Sequence, residues 1–498
     1  MMHCVYRSLL VLASWPGILF FTTPASAQQT TVTNAQQTSI PTAVAAGSSF
    51  TDATQKTLSA DEVMQLVRKF HPVAKQAGIQ VQQAKAKLLA ARGGFDPILS
   101  QRLSEKTFDG TAYYEYNNTE LAIPTWFGVE VKAGVESLNG NRVNSSETTG
   151  SSNYIGISVP LGRDLLMDKR RAILQTARVM RDASYAEQQR LLNDLMLDAQ
   201  KAFWNWYKSY RVLAVLDEAV AVNEKRLAFV RGAFKQGDRP ALDTTEALAQ
   251  LQQLQVQQQA ATLELRNNQL ELSVFLWTPE ENPYLLPDEV SPLLPGGEQV
   301  LETQPIPVLD SLLDVARKNH PELLLYNFKL QTLSIEKRYR FQQLLPQADL
   351  QYNFLQEGNR FTNTIKAPLF DNNFQYGLKM SIPLRLSAER GNYRNTKLTI
   401  NSVRLEQDLK ITQIENKVKA YFNELVNLRS QVALQTKAYS NYYLLQRGEE
   451  IRFTIGESSL FLVNARENKR LEALQKLQEL KAKLALASYQ LSWAVGQL

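Results

Sequence analysis

Three histidines and one cysteine occur in 498 residues, so acid–base, metal and thiol chemistry have few places to start. His71 and His320 each precede a proline in matching settings, Arg68-Lys69-Phe70-His71-Pro72 and Arg317-Lys318-Asn319-His320-Pro321. A metal centre needs several convergent ligands at suitable spacing, and neither histidine has them, so both read as repeated structural positions. His3 and Cys4 stand at the very start of the chain. No phosphate-binding Gly-x-x-x-x-Gly-Lys-Ser/Thr loop, no Gly-x-Ser-x-Gly elbow and no Ser/His/Asp set occurs. The chain is not expected to be an enzyme or to bind a cofactor, and any energy for its work must come from partners.

Met1 to Ala27 has the parts of a secretory signal: Arg7, an apolar stretch from Leu9 to Phe21, and Ala25-Ser26-Ala27 as a small-residue cleavage site. Cys4 precedes the apolar stretch, so processing leaves no thiol. Residues 28–57 are rich in Thr, Gln, Ser and Ala without periodicity, the composition of a disordered extension. The net charge of +6 is small for this length, and acidic and basic residues are interspersed, as on solvated helix faces. That pattern argues against a nucleic-acid partner. No apolar run of about 18 residues follows residue 30, so no membrane-spanning helix is expected.

Two stretches dominate the remainder. Arg163 to Arg231 contains no Gly or Pro, and at about 1.5 Å per residue it makes a helix of roughly 100 Å. Apolar residues such as Leu195, Ala199, Ala202, Trp206, Tyr210, Leu213, Leu216 and Val220 recur along it at steps of three and four, the seam of a coiled coil or extended bundle. Asn392 to Arg447 is likewise free of Gly and Pro. Each rod follows an apolar segment, ending in Pro160-Leu161 and Pro383-Leu384 respectively.

Those segments alternate with period two. Phe127, Val129, Val131, Ala133 and Val135 stand between Gly128, Glu130, Lys132, Gly134 and Glu136; Ile155, Ile157 and Val159, then Leu350, Tyr352 and Phe354, then Tyr376, Leu378, Met380 and Ile382 behave alike. One face is apolar and the other polar, as in a strand with one side in lipid or in a core. Tyr113, Tyr114, Tyr116, Trp126, Phe127 and Tyr154 fall near strand ends, where a membrane barrel carries an interfacial girdle.

The chain is internally duplicated. His71 answers His320 and Pro97 answers Pro346 at an offset of 249 residues, while Phe234-x-x-Gly237 answers Phe453-x-x-Gly456 at 219. The first half therefore holds the longer strand region. Each half reads as helix, strands, long helix, tight turn and return helix. The first covers 58–278, with a helix opened by a capping box at Ser59 and Glu62 and running to about Arg92, strands over 95–161, a long helix over 163–235 and a return helix over 240–277. A Pro-rich linker spans 279–307. The second half, 308–497, repeats the plan with a helix over 308–344, strands over 347–384, a long helix over 388–453 and a return helix over 459–495.

About four such strands cannot close a barrel, for which about eight are the practical minimum. Open strand edges cannot face lipid, so several copies must share one barrel. Long helices continuing from it would form a tube, and the function this implies is a conduit.

With its matched glycine turns and the tip segment Gly456-Glu457-Ser458-Ser459-Leu460-Phe461-Leu462-Val463-Asn464-Ala465-Arg466-Glu467, the duplicated plan resembles the TolC family of outer-membrane efflux proteins over residues 58 to 497. The resemblance implies a mainly α fold with a β-barrel portion: an α-helical periplasmic tunnel continuous with a transmembrane barrel shared by a homotrimer, with twelve strands in all, seated in outer-membrane lipid. It implies efflux or type I secretion, with a periplasmic adaptor and an inner-membrane pump of RND or ABC type as partners. The adaptor-docking turns fall at Gln236, Gly237 and Asp238 and at Gly456, Glu457 and Ser458. Asp243 matches an aspartate of the family's closing network. The partner side departs from the pattern: the tyrosine, the arginine and the two constriction aspartates of the best-known member fall at Phe453, Ser458, Leu462 and Ala465. Closure is then expected to rest on apolar packing by Phe453 and Leu462, with Ala465 beside them. The alternative is an exported coiled-coil scaffold or periplasmic adaptor without a barrel. The cargo is not legible in the sequence.

Overall fold

Helix initiation at the start of the first half follows local chemistry. In the computed structural model, which describes residues 57–140, 148–294, 305–358 and 373–498, the Glu62 amide donates to Ser59 Oγ at 3.3 Å and the Ser59 amide donates to Glu62 Oε2 at 2.7 Å. This capping box opens α1 (Ala60–Phe70). The signal and residues 28–56 of the N-terminal extension lie outside the described residues, as do 295–304 of the linker.

The expected single helix to Arg92 is in fact two. Pro72 has no amide hydrogen, and the residue before a proline is pushed to extended backbone. His71 accordingly adopts φ −63°, ψ 135°, ending α1 and starting α2 (Pro72–Arg92). The 308–344 helix divides in the same way at His320–Pro321 into α5 (Leu309–Asn319) and α6 (Pro321–Gln342). Each histidine caps the second helix: Val73 N donates to His71 Nδ1 and Glu322 N donates to His320 Nδ1, both at 3.2 Å. An imidazole accepts at Nδ1 only when that nitrogen is unprotonated, and burial lowers the pKa of both groups, with Lys417 and Lys410 adding to the effect at His320 and Glu322 opposing it. The unfolded chain then binds protons more readily, so this stabilisation is complete above about pH 6.5 and is lost as pH falls through the folded-state values. Thermal unfolding followed from pH 7.5 to 5 should show a falling midpoint. The double variant His71→Asn, His320→Asn, which still offers a capping oxygen, should flatten that slope.

Between α2 and the first rod run β2 (Ile98–Phe108), β3 (Thr111–Pro124), β4 (Glu130–Asn139) and β5 (Gly150–Pro160); the second half supplies β7 (Gln347–Glu357) and β8 (Phe374–Ser381). They form one antiparallel sheet in the order β2-β3-β4-β5-β7-β8. The count is six rather than about four, because the longer strand region of the first half is an added hairpin, β2–β3. Two short parallel strands, β1 (Thr57–Ser59) and β6 (Ser291–Leu293), join the start of the first half to the linker.

The first rod, α3, spans Lys169–Lys235, not from Arg163. Pairing with the second half continues past β5: the amides of Leu161 and Arg163 donate to the carbonyls of Ala348 and Pro346, both at 2.7 Å. Those residues are committed to the sheet, and Asp168 caps the helix by accepting from the Arg171 amide at 2.8 Å. A return helix, α4, spans Ala241–Ser273; the second rod, α7, spans Ser387–Thr454 and its return helix, α8, spans Leu460–Val495. Gly232, Gly391 and Gly448 lie inside the rods, each an interior cost of about 1 kcal/mol that packing absorbs.

The helices lie side by side in a layer four wide. Near the sheet the order is α2, α3, α6, α7; toward the far end it is α4, α3, α8, α7. Between these ends α1, α3, α4, α8 and the residues leading to β6 enclose Phe203, Trp206, Leu272 and Leu276. A second core, with Leu216, Val230, Leu254, Phe453, Leu460 and Leu471, fills the far end. Among the described residues no helix is long and apolar enough to cross a membrane.

Candidate functional site

Strand register divides the sheet into two chemically opposite faces. Ile123, Val131, Ile157, Tyr352 and Tyr376 stand in one row across β3, β4, β5, β7 and β8. With Leu99 and Leu103 on β2 and Leu378 and Met380 on β8 they make an apolar face, much of it open: Leu103 is 69% and Met380 68% exposed. The opposite face carries Glu120, Lys132, Glu136, Ser152, Tyr154, Gln351, Asn353 and Lys379. It is knitted together, with Tyr154 Oη donating to Glu120 Oε2 at 2.6 Å, Ser152 Oγ to Glu136 Oε1 at 2.8 Å, and Lys132 Nζ lying 3.4 Å from Glu130. Gly134 is required here, because a Cβ would meet the Tyr154 ring at 2.5 Å. Tyr116 and Tyr154 thus belong to the polar face, contrary to the girdle expected of them; Tyr116 Oη donates to Glu136 at 3.4 Å. Where this face meets the helices, a polar cleft of about 630 Å³ is lined by both signs of charge, including Glu130, Lys132, Asp349 and Lys379.

At the opposite end each helix pair turns on a left-handed glycine. Gly237 and Gly456 both have φ +82°. After Gly237, the Asp238 amide donates to the Ala233 carbonyl and the Gly237 amide to Phe234; after Gly456, Glu457 donates to Arg452 and Gly456 to Phe453. Both are Schellman motifs, which satisfy carbonyls left over at a helix end and need a residue free of a Cβ penalty. Nothing lies within 4 Å of either missing Cβ, so the constraint is the backbone angle and not space. Gln236, Gly237, Asp238, Gly456 and Glu457 are exposed, while half-buried Ser458 donates to Glu449 at 2.6 Å.

The two turns are joined by Arg239, which no motif in the sequence singles out. Its guanidinium lies 4.0 Å from the Phe453 ring centroid, donates to the Phe453 carbonyl at 3.2 Å and pairs with Asp243 at 3.5 Å. Asp243 and Phe453 are therefore brought together through an arginine from the first turn. Phe453 is only 7% exposed and packs in the core of the far end, while Leu462 is 41% exposed and Ala465 half-buried.

One turn further in lies an ion pair that the sequence reading also missed. Glu467, with no exposed surface, receives Arg226 Nη1 at 2.6 Å, Arg226 Nη2 at 3.2 Å and Asn223 Nδ2 at 3.1 Å. Arg226 Nη1 also donates to Asn464 at 3.3 Å, and Asn464 reaches Glu246 at 3.3 Å. The network ties α3 and α4 to α8. A signal was present: Leu460, Val463, Glu467 and Leu471 share a helical face, and a carboxylate on an apolar seam needs a buried partner. Among the described residues no group of three or more His, Cys, Asp or Glu could hold a metal ion.

No family model matches the chain, and no curated protein matches it. Solved structures do. The chain is similar to the CmeC outer membrane channel of Campylobacter jejuni, with a TM-score of 0.61 and 14% identity over 88% of this chain and 85% of that one. Against the outer membrane protein VceC of Vibrio cholerae the TM-score is 0.60, with 12% identity over 88% of this chain and 96% of that one. Against the open state of the MtrE outer membrane channel of Neisseria gonorrhoeae it is 0.61, with 12% identity over 90% of this chain and 93% of that one. The fold is that of the TolC-type outer-membrane channels.

Proposed function

We propose that this chain, having the fold of the TolC-type channels, is an outer-membrane channel-tunnel that works as a homotrimer and exports substrates across the outer membrane, in efflux or type I secretion. The observation that carries this reading is the six-stranded sheet with one open apolar face, one hydrogen-bonded polar face and two edge strands, β2 and β8, each laddered to a single neighbour, running directly into helices of about 100 Å. Edge amides and carbonyls left in lipid cost several kcal/mol each, and pairing between copies removes that cost while turning the polar face to a lumen. The helical tube stands in the periplasm. Its exposed turns at Gln236–Asp238 and Gly456–Ser458 dock a periplasmic adaptor coupled to an inner-membrane pump of RND or ABC type. Nucleic acid is not a partner, and the chain catalyses no reaction.

Asp243, bound by Arg239, and Leu462 and Ala465, which carry no charge, leave the tip without an acidic constriction ring. Closure rests on Leu462 and on the Arg239 bridge, with gating partly by dewetting. Reconstituted in planar bilayers, the processed protein should give stepwise conductance that millimolar divalent cations barely reduce. Leu462→Asp combined with Ala465→Asp should make it at least about tenfold more sensitive to them. Strong block of the unaltered protein at micromolar divalent concentration would overturn the apolar gate.

A further inference from the structure

The added hairpin β2–β3 enlarges what one copy contributes to a shared wall. We propose that this hairpin is built into the barrel, so that three copies of six strands close a ring of eighteen, with β2 of one copy paired to β8 of the next. The inference rests on the trimeric channel reading above and concerns the width of its membrane end.

Two observations support it. First, β3 is bonded to β4 through ten successive residue pairs, from Glu115↔Asn139 to Pro124↔Glu130, so the edge of β4 is already occupied. A ring using only β4, β5, β7 and β8 would have to break that ladder. Second, the polar face continues onto the hairpin, and Leu99 and Leu103 of β2 with Leu121 and Ile123 of β3 carry the apolar face onto it between the polar Gln101, Glu105, Asn117 and Thr119. On the other face Asn118 and Glu120 of β3 reach across β4 to Tyr154 of β5 at 3.4 and 2.6 Å. A hairpin lying in water beside the wall would have no use for side-chain bonds that cross β4 to β5.

Since barrel diameter grows roughly linearly with strand number, eighteen strands give a membrane passage about one and a half times as wide as twelve. Such a passage suits bulky solutes and extended polymers, and leaves selection by size to the helical tip.

Imaging of the full processed protein in lipid nanodiscs, at a resolution that separates strands, tests this directly. The expected result is a closed ring with six strands from each copy and β2 beside the neighbour's β8. A closed ring with four strands from each copy and β2–β3 folded away from the wall would overturn the proposal and leave the channel reading intact. Particles without any closed ring would overturn both.

Discussion

Glu467→Ala should loosen the far end of the helical layer more than any other single change. It leaves Arg226, with a side chain 12% exposed, facing a cavity with only the longer 3.8 Å contact to Glu450 as a carboxylate partner, and it deprives Asn223 of an acceptor. Removing one partner of a buried pair costs about 3–5 kcal/mol, because the surviving charge stays desolvated. The loss falls on one end of a chain whose core around Trp206 is untouched, so a global melting midpoint is a blunt readout. Amide exchange is sharper: protection along 219–230 and 460–471 should fall by about a hundredfold or more, while α1 and α5 keep theirs. Arg226→Met combined with Glu467→Leu should recover part of the loss, since an apolar pair of similar volume need not be desolvated. If Glu467→Ala exchanged like the parent protein at these positions, the pair would not hold the bundle together.

Arg239→Ala is expected to act on the gate. The side chain makes one hydrogen bond from a charged donor to the Phe453 carbonyl, one cation–π contact with that ring and one ion pair with Asp243. A charge-assisted hydrogen bond contributes about 1.5–3 kcal/mol and the ring contact about 0.5–2 kcal/mol. The partly exposed pair four residues apart adds only about 0.3–0.5 kcal/mol. A loss near 2 kcal/mol per copy shifts a closed–open balance at least tenfold, as 1.4 kcal/mol already does. Single-channel recordings should therefore show a rise of that order in the open fraction. Arg239→Lys keeps the charge beside Asp243 and loses the flat guanidinium over the ring, so it should fall between the two. A lowered thermal midpoint with unaltered open fraction would make Arg239 a helix-end support and not a latch.

The long helices, the duplicated plan and the chemical division of the sheet were legible because each leaves a periodic trace over many residues. Leu378 and Met380 alternate with Lys379 and Ser381 whatever their neighbours do, and Gly237 and Gly456 mark the same αL requirement twice. Boundaries were less legible where a distant segment decides them. Arg163 looks helical until its amide is seen bonded to Pro346. The strand count was missed because β2 carries a weak alternation: Gln101 and Glu105 share its outer face with Leu99 and Leu103. At the tip, position alone assigns Phe453 to apolar packing at the closure. Its ring lies in the apolar core of the far end with Arg239, some two hundred residues earlier, over its face, a pairing that no local spacing announces.

The central claim is that one chain holds only a fraction of a pore and that copies must associate to complete it. Light scattering on the processed, detergent-extracted protein, with the detergent contribution subtracted, measures this most directly. The account predicts a particle of three chains extracted from the membrane fraction. A single chain that stays in solution without detergent would contradict it.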